Sequence, residues 1–125
     1  MIPLKLYLYP EEYAVCQTLT LPALTADDGV WFLSRTDEEI SLVCESRAVP
    51  KSCIAVEPGW RLLRAEGPLD FALTGILAGL AKTLADAGVP IFAVSTYNTD
   101  YLLVKSEHLL IALQALAEAG HEIIK

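Results

Sequence analysis

The sequence predicts an α+β fold in which antiparallel strands are covered on one face by helices. Three observations predict it. Two segments of the second half carry a helical stripe of Leu and Ile, and both leave through Ala-Gly, at Ala87-Gly88 and Ala119-Gly120. Between them, two β-rich runs flank the polar stretch Tyr97-Asn98-Thr99-Asp100, which reads as a hairpin. The hydrophobic fraction of 54% is enough for a dense core with some surplus for an interface.

The second half is read in order as follows. Trp60 to Ala65 is a strand, with Trp60, Leu62 and Arg64 on one side, and Glu66-Gly67-Pro68 is a turn. Asp70 is placed to cap a helix whose buried stripe is Leu73, Ile76, Leu77, Leu80 and Leu84. Gly88 ends that helix and Pro90 prevents its continuation. Ile91 to Thr96 has little polar alternation, which suggests a strand buried on both faces. Tyr101 to Lys105 is its hairpin partner. Ser106 is expected to cap a second helix with Leu109, Leu113 and Leu116 inward, and His121 to Ile124 is a final strand. The order β-α-β-β-α-β is the ferredoxin-like split arrangement.

The first half is less regular. Leu4, Leu6 and Leu8 alternate with Lys5, Tyr7 and Tyr9, a half-buried strand. Pro10 to Gln17 reads as a short helix, and Val30 to Ser34 and Ile40 to Cys44 as a hairpin around Arg35-Thr36-Asp37-Glu38-Glu39. Cys53 to Glu57 reads as one more strand. This suggests a worn copy of the same unit in residues 1–57, followed by the clear unit in 58–125.

A net charge of −7 disfavours phosphate backbones and anionic membranes as partners. The apolar-rich run Phe71 to Ala81 is too short to span a bilayer, and no basic start with a long apolar run marks a secretion signal. Cys16, Cys44 and Cys53 have no zinc spacing, and a reduced cytoplasmic protein fits them best. His108 and His121 have no partner motif and read as surface residues. No nucleophile elbow, phosphate loop or dinucleotide fingerprint is present, so neither catalysis nor a cofactor is expected. Gly75 and Gly79 are placed inside a helix. The acidic runs Glu11-Glu12 and Asp37-Glu38-Glu39 read as solvated faces, and Asp27-Asp28-Gly29 as a turn.

Residues 91–105, Ile-Phe-Ala-Val-Ser-Thr-Tyr-Asn-Thr-Asp-Tyr-Leu-Leu-Val-Lys, resemble the hairpin of ACT domains. Those domains occur in small bacterial ACT proteins, in the cytosolic arginine sensors of animals and, more distantly, in aspartate kinase regulatory regions. The run from Gly67 to Gly75, Gly-Pro-Leu-Asp-Phe-Ala-Leu-Thr-Gly, resembles the strand-to-helix loop of the same group. The likeness covers residues 55–124 and is loose in the first half. It implies two ACT-like units in tandem and a regulatory role. It also implies pairing, here as a homodimer acting on another protein, with an amino-acid effector held at the junction. The implied ligand-binding positions are Leu69, Asp70, Phe71, Ala72 and Thr74 in the loop, and Ser95, Thr96, Asn98, Thr99 and Asp100 on the hairpin.

The chemistry suits a zwitterion. A helix start near Asp70 offers unpaired N–H groups to a carboxylate, Thr74 adds a hydroxyl, and Asp100 can face an ammonium. Each position also has a structural explanation: Asp70 as a cap, Asn98 and Asp100 as turn formers, Ser95 and Thr96 as partners of backbone groups, Tyr97 and Tyr101 as packing residues. Two further readings stay open, a ligand-free interaction domain and a small oligomeric enzyme.

Overall fold

A computed structural model of the chain describes residues 2–66 and 75–125. The elements are β1 (Lys5–Thr18), β2 (Phe32–Arg35), β3 (Ile40–Glu45), β4 (Cys53–Ala65), α1 (Ile76–Asp86), β5 (Phe92–Ser95), β6 (Asp100–Lys105), α2 (Leu109–Glu118) and β7 (Glu122–Ile124). They fall into two units, one made of Met1–Pro10 with Arg61–Lys125, the other of Glu11–Trp60. The chain passes from one unit to the other along β1 and returns along β4.

In the first unit the strand order is β7-β1-β4-β6-β5. Leu4, Leu6 and Leu8 alternate onto one face of β1, and Leu63, Ala65, Leu102 and Val104 join them from β4 and β6. Ile76, Leu80 and Leu84 of α1 and Ala112 and Leu116 of α2 bury into the same cluster, so both helices cover one face of this sheet. Of the predicted stripe of α1, Ile76, Leu80 and Leu84 are buried and Leu77 packs against them half-buried. Each fully buried Leu contributes about 1.5–3 kcal/mol.

The order β-α-β-β-α-β appears as β4-α1-β5-β6-α2-β7, with one departure. The start of β1 lies between β4 and β7 and pairs with β7 in parallel, Lys5 to Glu122 through Tyr7 to Ile124. The sheet is therefore mixed, not wholly antiparallel. Backbone bonds fix the insertion, from Glu122 N–H to the Leu4 carbonyl at 2.9 Å and from Glu66 N–H to the Lys5 carbonyl at 2.8 Å.

His121 corrects a second expectation, since it is buried and not a surface residue. Its Nδ1 accepts from the Leu4 N–H at 3.1 Å, which assigns the proton to Nε2. Packing decides this: the imidazole occupies the seam where β1 meets the entry to β7.

Both helices end in the same hydrogen-bonded exit. Gly88 N–H donates to the Ala85 carbonyl and Val89 N–H to that of Leu84; Gly120 and His121 repeat this with Ala117 and Leu116. Gly88 and Gly120 have φ of +76° and +101°, as that exit requires. The helix starts differ from expectation. Asp70 and Leu73 lie outside the described residues, and Gly75 stands at the N-cap of α1 with φ +80° instead of inside it. Ser106 opens a 3-10 turn, Ser106–His108, and caps nothing; α2 begins after it. β5 ends the strand order and alternates half-buried with exposed residues, so it is an edge strand and not one buried on both faces.

In the second unit β2 pairs β3 and β3 pairs β1, both antiparallel. The predicted hairpin is present. The predicted helix at Pro10 to Gln17 is not: residues 13–18 lie in register with β3, Tyr13 against Glu45 through Thr18 against Ile40. Ladder bonds and burial of Tyr13, Ala14, Cys16 and Thr18 override the local preference of Glu11 and Glu12. The strand predicted at Cys53 and the one predicted at Trp60 are a single strand, continuous through Pro58-Gly59.

The loop before β2 is clipped. Thr25 and Asp28 form a capping box around Ala26–Asp28, and Trp31 Nε1 donates to the Thr25 carbonyl at 3.0 Å. The buried Glu45 carboxylate accepts from Arg47 Nε at 2.7 Å, and Arg47 Nη2 reaches the Asp27 carbonyl at 3.1 Å. The same carboxylate packs against Gly29, where a Cβ would collide with it.

The two hairpins match at one fixed offset. Phe32, Thr36, Leu42 and Ser46 correspond to Phe92, Thr96, Leu102 and Ser106. In both turns the Thr N–H donates to the carbonyl three residues on, at 2.9 Å, and the Thr hydroxyl donates to the same carbonyl. A 3-10 turn follows both, entered at φ −58°, ψ 145° and at φ −63°, ψ 144°.

Two stability predictions follow from this packing. Gly29→Ala combines backbone strain at φ +80° with a steric collision. It should cost about 2–4 kcal/mol in urea denaturation, against about 1–2 for Gly88→Ala, where strain acts alone in open space. Burial pushes the His121 pKa below its ordinary 6.5. The unfolded chain then binds a proton that the folded one refuses, so this contribution to stability is intact above pH 6.5 and declines as pH falls further. Denaturation of the wild type and of His121→Gln at pH 7.5 and 5.5 checks it, with the variant expected to lose less on acidification.

Candidate functional site

The site is built on the tip of the β5–β6 hairpin. Ser95 and Asp100 form its closing pair. Ser95 Oγ donates to Asp100 Oδ1 at 2.6 Å, which fixes the carboxylate and takes up part of its accepting capacity. Thr96 Oγ1 donates to the Thr99 carbonyl at 3.1 Å, and Thr99 N–H donates back to Thr96 Oγ1 at 3.4 Å. Thr99 turns inward and is buried; its hydroxyl donates to the Ala65 carbonyl at 2.7 Å. That bond ties the hairpin tip to the end of β4, directly ahead of the segment carrying the other five positions.

Of the ten positions expected from sequence, Ser95, Thr96, Thr99 and Asp100 are joined by hydrogen bonds, and Asn98 is exposed beside them. Leu69, Asp70, Phe71, Ala72 and Thr74 lie outside the described residues. Tyr97 corrects an expectation: it is 83% exposed at the tip and is not a packing residue.

A cluster unforeseen from sequence lies on the face of the sheet opposite the helices. Arg64 donates through Nη1 to the Tyr9 hydroxyl at 2.9 Å and through Nη2 to Glu66 Oε1 at 2.8 Å. Its guanidinium stacks over the rings of Tyr7 and Tyr9, with centroids 5.1 Å and 5.6 Å away. The hydrogen bond to Glu66 holds the guanidinium above its ordinary pKa, while burial raises the Tyr9 phenol. Glu66 is therefore ion-paired. The signal available was the alternation of Tyr7 and Tyr9 with the core leucines.

The thiols gather in the second unit. Cys16 and Cys44 are buried in one apolar cluster, with Cys53 half-buried against it. Burial, with the neighbouring thiols, pushes Cys16 up to about 12 and burial pushes Cys44 up to about 11. Both are held protonated, which makes them packing groups and poor nucleophiles. Among the described residues no group of three or more His, Cys, Asp or Glu side chains converges to hold a metal ion, and no helix is long and apolar enough to cross a membrane.

The tip therefore offers one oriented carboxylate, two hydroxyls engaged within the turn and an exposed amide, arranged next to the exit of β4. An edge hairpin and two helices packed on one face of a ferredoxin-like sheet make up the first unit. The chain belongs to the ACT domain family, whose model matches residues 55–118. It is similar to a protein from Agobacterium tumefaciens of known crystal structure, at 33% identity over 99% of this chain and 94% of that one, with a TM-score of 0.86. A protein of unknown function from Vibrio cholerae is 22% identical over 94% and 90% of the two chains, with a TM-score of 0.67. Aspartate kinase from Synechocystis shares the fold at 18% identity and a TM-score of 0.69, with 97% of this chain matched to 27% of that enzyme.

Two measurements test the geometry. Thr99→Val removes a buried donor and leaves the Ala65 carbonyl without its partner. It should cost about 1–3 kcal/mol by chemical denaturation. Under native conditions iodoacetamide should label Cys53 well before Cys16 and Cys44, as read by peptide mass spectrometry over time, and all three equally in urea.

Proposed function

We propose that this chain is a regulatory protein that binds a free amino acid or a close analogue. The effector lies between the segment 67–74 and the hairpin tip, at an ACT–ACT junction completed by a second subunit, and its binding alters another protein in the cytoplasm. The observation carrying this reading is the Ser95–Asp100 pair at the closing position of a hairpin tied to β4 through Thr99. It presents an oriented carboxylate to an ammonium, and the positions expected to take the ligand's carboxylate follow in sequence within a few residues. Membership of the ACT family and the likeness of fold to aspartate kinases support a regulatory role. The matching hairpins support an internal duplication, a first copy within residues 1–57 and a second within 58–125, the first having lost its helices.

A ligand-free interaction domain is the second reading. The engagement of both Thr96 and Thr99 hydroxyls within the fold favours it, because those groups are then unavailable to a ligand.

A thermal-shift screen over the twenty amino acids separates the two. Free ligand at about 100 times its Kd adds about 2.7 kcal/mol to stability, a rise of several degrees. One amino acid, or a small chemically related set, should raise the melting temperature, and Asp100→Ala should abolish the rise while melting near the wild type when ligand-free. A flat screen sinks the effector reading; an undiminished response in Asp100→Ala sinks the site.

A further inference from the structure

We propose that Cys16 and Cys53 are a redox pair, which a hydroperoxide converts into an intramolecular disulfide that staples β1 to the entry of β4. The inference is independent of the effector site and concerns the second unit alone.

Three thiols converge in that unit. Ala14, Cys16, Leu42 and Cys44 form one buried cluster, and Cys53 packs against it. The Cys16 thiol lies within hydrogen-bonding reach of both other sulfurs. The ladder decides which pair can close. Cys16 stands opposite Leu42 and Cys44 opposite Ala14, so the two cysteines are diagonal neighbours held in register. Such neighbours keep their Cα atoms about 7–8 Å apart, past the roughly 7 Å that a disulfide bridges without moving backbone. Cys53 is the first residue of β4 and follows the turn at Lys51-Ser52, so its backbone can adjust. Access singles out the same residue. Cys53 is half-buried, while Cys16 is 3% exposed and Cys44 0%.

The chemistry balances in two steps. The Cys53 sulfur attacks a peroxide oxygen and the O–O bond breaks. An alcohol, or water from hydrogen peroxide, leaves with the thiol proton, and Cys53 becomes a sulfenic acid. The Cys16 sulfur then attacks the Cys53 sulfur, the S–O bond breaks, and hydroxide departs with the Cys16 proton as water. The two sulfurs lose two electrons and the peroxide gains them. Cys16, pushed up to about 12, is only about 10⁻⁵ thiolate at pH 7. Contact offsets this, because aligned intramolecular groups react as though present at about 10⁵–10⁸ M. A thiol that is slow toward reagents in solution can therefore still resolve the neighbour it touches.

Peptide mapping of the full chain tests the pair. The reduced protein is treated with a small excess of hydrogen peroxide, then denatured and alkylated with iodoacetamide. The expected product is a monomer containing a Cys16–Cys53 cross-linked peptide, two hydrogens lighter than its parts, with Cys44 alkylated. Dithiothreitol should reverse it. Dimedone added with the peroxide should trap Cys53 as its sulfenic acid and lower the yield of cross-link. Cys44→Ser should leave the cross-link in place, and Cys16→Ala should stop at the sulfenic acid. The wild-type map decides the matter without either variant. A Cys16–Cys44 link or a Cys53–Cys53 link between copies overturns the assignment. So does Cys53 left unoxidised, or carried on to sulfinic acid beside two free thiols.

Discussion

The first unit depends on one alternation. Leu4, Leu6 and Leu8 present every second side chain of β1 to a layer that Leu63, Ala65, Leu102 and Val104 extend and that α1 and α2 close. Because the period of a strand is two, the opposite set, Lys5, Tyr7 and Tyr9, is committed to the other face. The stacked Arg64 is thus a by-product of the same constraint that fills the core. A slip of one residue would drive Tyr7 and Tyr9 under the helices and the leucines into the place of the guanidinium stack. Core and polar face specify the register together.

The hairpin tip shows how such a sheet can hold a polar site in place. An exposed edge turn has little to pack against and is free to move. Thr99 replaces packing with a single buried hydrogen bond to Ala65, so the tip inherits its position from β4, whose neighbours Leu62 and Leu63 are buried. Ser95 then constrains the Asp100 carboxylate from the side. An acceptor held in this way loses less freedom when a cation arrives, which is the usual gain from preorganisation.

What could be read from sequence was what is local. The stripe Ile76, Leu80 and Leu84, both Ala-Gly exits and both hairpins depend on neighbours within a few residues and appear as expected. Features that depend on distant partners were hidden. Pro10 to Gln17 has a helical composition and becomes a strand because β3 offers it a ladder. Pro58-Gly59 looks like a break and is crossed by one strand, with Gly59 absorbing the geometry at φ +81°. His121 is polar and follows a helix end, and nothing within a few residues foretells that Leu4 will donate to it. At the site, the turn residues were identified by type, but the inward rotation of Thr99 was not, since a threonine in a turn gives no sign of which way its hydroxyl will point.

The insertion of β1 between β4 and β7 has a bearing on how the chain is made. Leu4 and His121 are separated by 117 residues along the chain, yet they meet in one hydrogen bond. A ribosome delivers the first strand long before its parallel neighbour β7. Until then the edge of β1 that receives Glu122–Ile124 stands unpaired, with Leu4, Leu6 and Leu8 already exposed. The smaller unit, Glu11–Trp60, is contiguous and can close upon itself long before that. The larger one must wait for β7, and closing so long a loop slows its completion.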